Sequence, residues 1–212
     1  SVFNSLEAGK FNVGLMLFTE TGGGNGGADG GYVRAAMRSM TTANKAKYST
    51  LIGSFDKLGD KSNGGKLSKA MAEAYRYFSG GAPIAGNSKA KADYSGNTSG
   101  TTADKAVYAL TGNALSSKTA TTYNRAVPAE SCAKNFIIYL SNGAAQDNAS
   151  DLGAASTALT QAGGSATTIP LNPSGSQENV ADEWARFMKE SPLGITVYTL
   201  DIDKVTTGQG PG

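Results

Sequence analysis

Residues 136–140, Phe-Ile-Ile-Tyr-Leu, constrain this chain more than any other stretch. The run begins just after Lys134, and no further charge follows until Asp147. β-Branched and aromatic side chains fit a pleated sheet. A run apolar at every position predicts a strand buried on both faces, as in a parallel sheet covered by helices. The run stops at Ser141-Asn142-Gly143, a turn signal. Open α/β sheets bind ligands just beyond the carboxyl ends of such strands. Ser141, Asn142 and Gly143 are therefore the first candidate binding residues.

Around this strand the chain alternates. Residues 3–10 read as the tail of a helix closed by Gly9, and 11–18 as a strand. Residues 21–31 hold seven glycines in eleven. They lack the Gly-Lys-Ser/Thr ending of a phosphate loop and read as a hairpin loop. Residues 32–40 read as an edge strand, with Val33, Ala35, Met37 and Ser39 on one face and Arg34 and Arg38 on a charged outer face. Helices are expected over 44–58 and 66–78. The second carries the stripe Leu67, Ala70, Met71, Ala74, Tyr75 and Phe78, with Lys69, Glu73 and Arg76 outside. Residues 79–130 are rich in Gly, Ser, Thr, Asn, Ala and Lys, and only 107–110 look ordered. They read as a long insertion on the domain surface. A helix over 149–162, a short strand over 166–171, a helix over 177–189 and a strand over 194–201 follow. That last helix turns Val180, Trp184, Phe187 and Met188 inward, and Glu178, Asp182, Glu183, Arg186 and Lys189 outward. This alternation argues for a parallel sheet with right-handed crossovers.

The absence of histidine from all 212 residues removes the commonest general base and the Ser-His-Asp and Cys-His nucleophile systems. No Gly-x-Ser-x-Gly elbow is present either, and no enzyme activity is expected. A formal charge of +2 gives no footprint for nucleic acid or an anionic membrane, and no segment reads as a transmembrane span or signal peptide. The chain begins at Ser1 without a Met, so processing or trimming upstream is expected. Cys132 is the single cysteine, either a free thiol or half of a bridge to a partner elsewhere.

The buried strand with its polar turn, the helix preceded by Gly64-Gly65-Lys66 and the hairpin from Val13 to Met40 occur here in one order. That order resembles a von Willebrand factor A domain. Four segments are similar to the N-terminal region of the PilC/PilY family of type IV pilus tip and biogenesis proteins: Gly14-Leu15-Met16-Leu17-Phe18, Glu73-Ala74-Tyr75-Arg76-Tyr77-Phe78, Cys132-Ala133-Lys134-Asn135-Phe136-Ile137-Ile138-Tyr139 and Asp182-Glu183-Trp184-Ala185-Arg186-Phe187-Met188. The resemblance spans most of the chain but skips 79–130. It implies an α/β, Rossmann-like open sheet with helices on both faces. Residues 1–212 would form a partial domain lacking the first central strand and the last strand, with the gap filled by the rest of a longer chain or by a neighbour.

The resemblance also implies a metal-ion-dependent adhesion site, and a degenerate one. Its Asp-x-Ser-x-Ser motif does not occur before the Val13 strand. Gly65 stands where a Thr ligand would be and Asn142 where an Asp would be, and Lys66 adds a positive charge beside them. No cofactor is expected, and Mg²⁺ or Ca²⁺ are the ions a residual site would take. Ser141, Asn142, Gly143 and Lys66 would then line a surface for protein contact. Asp147 and Asp151 read as acids capping a helix start, Asp201 and Asp203 as solvated acids, and Tyr75, Tyr77 and Phe78 as core. The implied function is an adhesion or assembly module at the bacterial surface, on the fimbrium. Its partners would be minor pilins, the remainder of its own chain or a host-surface ligand. A structural role in capping or priming the fibre is the alternative.

Overall fold

The structure, a computed structural model, describes residues 2–18, 30–56, 60, 65–128, 132–141, 145–171 and 178–202. A four-residue helix α1 (Val2–Ser5) is shorter than expected, and Gly9 does not cap it. Gly9 donates its N–H instead to the Met40 carbonyl at 3.1 Å. Strands β1 (Asn12–Leu17) and β2 (Tyr32–Ser39) pair antiparallel, as the hairpin reading requires; the glycine-rich stretch between them lies outside the described residues apart from Gly30 and Gly31. Helix α2 (Thr42–Gly53) starts at Thr41, whose hydroxyl accepts from the Asn44 amide. Helix α3 (Leu67–Ser79) follows and is closed by Gly80 at φ +73, with the Gly81 N–H donating back to the Arg76 carbonyl at 2.8 Å.

The second half contributes β3 (Phe136–Ser141), α5 (Ala149–Gln161), α6 (Ala181–Glu190) and β4 (Thr196–Asp201), with α4 (Thr102–Tyr108) before them in the insertion. β3 and β4 pair parallel from Phe136 with Thr196 to Ser141 with Asp201. The strand expected over 166–171 does not form. Pro170 has no N–H for a ladder, and the Ile169 N–H goes to Glu183 Oε1 at 2.9 Å. Glu183, expected on the outer face of α6, is therefore buried.

The described strands make two separate two-stranded sheets, β1-β2 and β3-β4, sharing one helical core. Leu67, Met71, Ala72 and Phe78 of α3, Ala158 and Leu159 of α5 and Trp184 and Met188 of α6 pack together, with Ile137 and Tyr139 of β3 against them. The β1-β2 pair is covered on two sides. Ala35, Met40, Tyr48, Leu51 and Val107 form one cluster, and Val33, Ala36, Tyr77, Leu115 and Tyr123 another. The β3-β4 pair is covered on one side only. Phe136, Ile138 and Leu140 are 48%, 63% and 55% exposed, and Tyr198 and Leu200 beside them 53% and 49%. The expectation of a strand buried on both faces fails here, because α3, α5 and α6 all pack against the Ile137 and Tyr139 side.

The largest correction concerns residues 79–130. From 79 to 128 this stretch is folded onto β2 and α3. It includes a 3-10 turn (Gly86–Ser88) and α4, whose Thr101 and Asp104 form a reciprocal capping box. Tyr94 bridges Leu115, and the Asp93 N–H donates to the Val33 carbonyl of β2 at 2.9 Å. Its anchors are Arg34, Arg38 and Glu73, which the sequence pattern puts on outer faces and the structure buries. Arg34, fully buried, pairs with Asp104 and donates to the Tyr108 hydroxyl at 2.8 Å. Arg38 forks onto Asp93 at 2.8 and 3.1 Å and also donates to the Thr111 carbonyl. Glu73 of α3 accepts from the Ile84 and Ala85 amides at 3.1 and 3.0 Å and from the Tyr123 hydroxyl. β2 is thus no charged edge: its arginines are sockets for the insertion.

Candidate functional site

The carboxyl ends of β3 and β4 meet the amino end of α3, and the sequence candidates gather there in part. Ser141 ends β3 opposite Asp201, and its carbonyl accepts from the Ile202 N–H at 2.7 Å. Asn142 and Gly143 lie outside the described residues. Gly65 precedes α3 and offers only its carbonyl, which accepts from the Gln146 N–H at 2.8 Å. Lys66 occupies the cap position of α3 without a side-chain cap bond. Its ammonium donates to the Gln146 carbonyl at 2.5 Å and sits 3.0 Å from Asp151 Oδ2.

Asp151 lies between two cations, Lys66 and Lys69, the second at 2.8 Å, and it also closes the capping box with Asn148 at the start of α5. Burial pushes its carboxyl up, but the hydrogen bonds from Lys69, the Asn148 amide and Lys66 outweigh that and hold it below the ordinary carboxylate range. The capping role expected of Asp151 is present, and the two ion pairs add to it. Lys69, expected outside with Glu73, turns to Asp151, while Glu73 is buried.

Asp147 is the residue whose placement the sequence did not reveal. It does not cap its own helix. Its Oδ1 accepts from the Ser68 N–H at 3.1 Å, in the first turn of α3, where free amides favour a negative charge. The Ser68 hydroxyl also bonds to it and accepts from the Val180 N–H at 3.1 Å. Asp147 Oδ2 is buried and has no hydrogen-bond partner. Burial raises the Asp147 carboxyl above its ordinary value, and nearby Asp151 adds to the rise. The signal available in the sequence was only an acid six residues beyond a strand end, which local spacing assigns equally well to a cap.

These groups do not form a cage for a hard cation, which takes six or more oxygen ligands. Asp147 Oδ2 and the Ser68 hydroxyl are the nearest suitable donors, and Lys66 already stands beside the acids. Among the described residues no three His, Cys, Asp or Glu side chains come together as a metal group. Cys132, free and exposed, precedes β3 at the opposite end. A separate open groove of about 560 Å³ runs between Pro83 and Ile84 of the insertion and Ala154 and Thr157 of α5, with Arg76 along it. No helix among the described residues is long and apolar enough to cross a membrane. No family model matches this chain, and no curated protein or solved structure does either.

Proposed function

We propose that this chain is a non-enzymatic extracellular binding module of a von Willebrand factor A-like type, associated with the tip of a type IV pilus and acting in adhesion or assembly. The observation that carries this reading is the polar floor at the carboxyl ends of the parallel pair. Ser141 ends β3 there, and the Asp147 carboxylate, with one oxygen unpartnered, is held by the Ser68 amide at the start of α3. Binding sites on open α/β sheets form at that end. A folded insertion held by buried ion pairs adds a fixed outer surface, the layout of a scaffold that presents loops. The pilus assignment rests on the segment resemblance.

The test is immunogold labelling of intact cells with an antibody to this domain, beside a strain carrying Asp147→Ala with Asn142→Ala. Label at fibre ends, with normal fibres that no longer adhere in the double variant, supports the adhesion reading. Loss of fibres in that variant favours the fibre-capping alternative. Label spread over the cell body with unchanged adherence refutes both.

A further inference from the structure

We propose that the groove between α5 and residues 82–84 receives the carboxyl-terminal tail of a separate polypeptide, with Arg76 holding the terminal carboxylate. At about 560 Å³ the groove has the size of a ligand site. One wall is α5, through Gly153, Ala154, Thr157, Ala158 and Gln161. These share one helical face over two turns, a length of about 12 Å. The other wall is Ala82, Pro83 and Ile84, with Ile84 38% exposed. That wall is tied to α3 from behind. The Ile84 and Ala85 N–H groups donate to the buried Glu73 carboxyl at 3.1 and 3.0 Å. Arg76 stands at the Gln161 end, where its Nη2 donates to Gln161 Oε1 at 3.4 Å.

Arg76 brings the positive charge, and among the described residues no carboxylate pairs with it. Its Nε is buried and has no hydrogen-bond partner. Nε–H and Nη2–H form one edge of the guanidinium, the fork that fits a carboxylate. The exposed Gln161 amide covers that edge through one long bond to a neutral oxygen. A carboxylate in its place takes both N–H groups. The ordinary task of an arginine near a helix C-terminus is to serve the last carbonyls. Here those are taken. Gly80 and Gly81 donate to Tyr77 and Arg76, and at the end of α5 Ala162, Gly163 and Gly164 donate to Ala158, Thr160 and Leu159. Arg125, exposed, lies beside Gly80 and adds a second cation at this end. The walls are small and apolar, and the charge sits at one end. Three or four residues of extended chain span about 12 Å. A chain end has this order, with its carboxylate on Arg76 and small apolar side chains between Ile84 and Ala154. Capture of a terminal carboxylate is a recurring mode of peptide recognition. The inference rests on this groove and not on the adhesion reading.

The test titrates the full 212-residue chain, labelled with nitrogen-15, with the tetrapeptide acetyl-Ala-Val-Ala-Val bearing a free carboxylate. Three comparison ligands accompany it: the same peptide as its amide, acetyl-Ala-Val-Ala-Glu-amide, and acetyl-valine. The free acid should shift the amide signals of Ile84, Ala154 and Thr157 and the Nε–H signal of Arg76. It should saturate at a concentration about tenfold or more below each comparison ligand. Arg76→Gln should weaken binding by about tenfold or more at an unchanged melting temperature. Ala154→Trp fills the groove from an exposed position and leaves the arginine in place; it should weaken binding as much. If Arg76→Gln lowers the melting temperature, Ala154→Trp decides alone. The proposal is overturned by no saturation below about 5 mM peptide, or by binding that neither substitution weakens. It is also overturned by equal binding of the amide, of the glutamate peptide, which would make the ligand an internal acid, or of acetyl-valine, which would make it a small acid.

Discussion

Glu73 concentrates the electrostatics of this protein in one side chain. Burial raises its carboxyl, and the bonds from Tyr123, Ala85 and Ile84 pull against that without reversing it. Because the folded value lies above the unfolded one, the native state holds more protons than the unfolded chain between the two. Stability therefore falls as pH rises through that window. Glu73→Gln should flatten this acid-to-neutral decline in urea midpoints, whereas Glu73→Ala should cost about 2–4 kcal/mol at all pH values by orphaning the Ile84 and Ala85 amides. Asp151 runs the other way: its folded value is depressed, so its contribution is present at neutral pH and lost as pH falls through that value. Gly86 approaches so closely that a Cβ there would overlap the Tyr123 hydroxyl and the Glu73 carboxyl, which excludes alanine without movement. Asp93 satisfies Arg38, the Ala36 amide and Asn113 together. Asp93→Ala leaves a buried guanidinium unpaired and should destabilise by about 3–5 kcal/mol in denaturant titration. Tyr48, beside Arg38, has its hydroxyl pushed up to about 12 by burial, so it stays protonated and its bond to the Ala36 carbonyl persists across the working range.

At the scale of elements, the insertion and the parallel pair behave unlike their sequences. The insertion reads as polar and loose because its large apolar side chains are few, but Ala92, Val107, Tyr108, Leu115 and Tyr123 are buried against β2 and α3. Its order should show directly. The amides of Asp93, Leu115, Tyr123 and Asn124, bonded to Val33, Asp93, Gly81 and Ala114, should exchange at rates close to those of α3. Exchange at coil rates would return this stretch to a mobile loop. The two faces of β3 differ just as sharply. Tyr139→Ala should cost about 3–5 kcal/mol, and Ile138→Thr, one residue away, should change stability by about 1 kcal/mol or less in the same titration. Helices were the more legible elements. The α3 stripe, the capping role of Asp151 in α5 and the inward Trp184 and Met188 of α6 follow from 3.6-residue periodicity and caps, which are local properties. The strand expected over 166–171 failed because a short apolar run does not specify a ladder partner.

At the scale of the molecule, two two-stranded sheets share one core and leave a row of apolar side chains on one face. Contiguous exposed apolar surface of this kind marks an interaction site or an aggregation hazard. Ile138→Lys with Leu200→Lys should abolish any self-association seen in sedimentation while moving the melting temperature by no more than about 2–4 °C. Of the candidate residues, the places of Ser141 at a strand end and Lys66 at a helix start were legible because strand ends and helix starts are local signals. Asp147 was not, because its partner Ser68 lies 79 residues earlier. By itself the sequence determined helices α2, α3, α5 and α6, the β1-β2 hairpin and the parallel character of the second half, since periodicity, caps and turn residues act within a few positions. Only the tertiary structure decided that Arg34, Arg38 and Glu73 are buried, that the polar insertion is ordered and that one face of β3 is bare. A charge goes inside only where a counter-charge or hydrogen-bond donors meet it, and Asp104, Asp93 and Tyr123 lie 70, 55 and 50 residues from Arg34, Arg38 and Glu73.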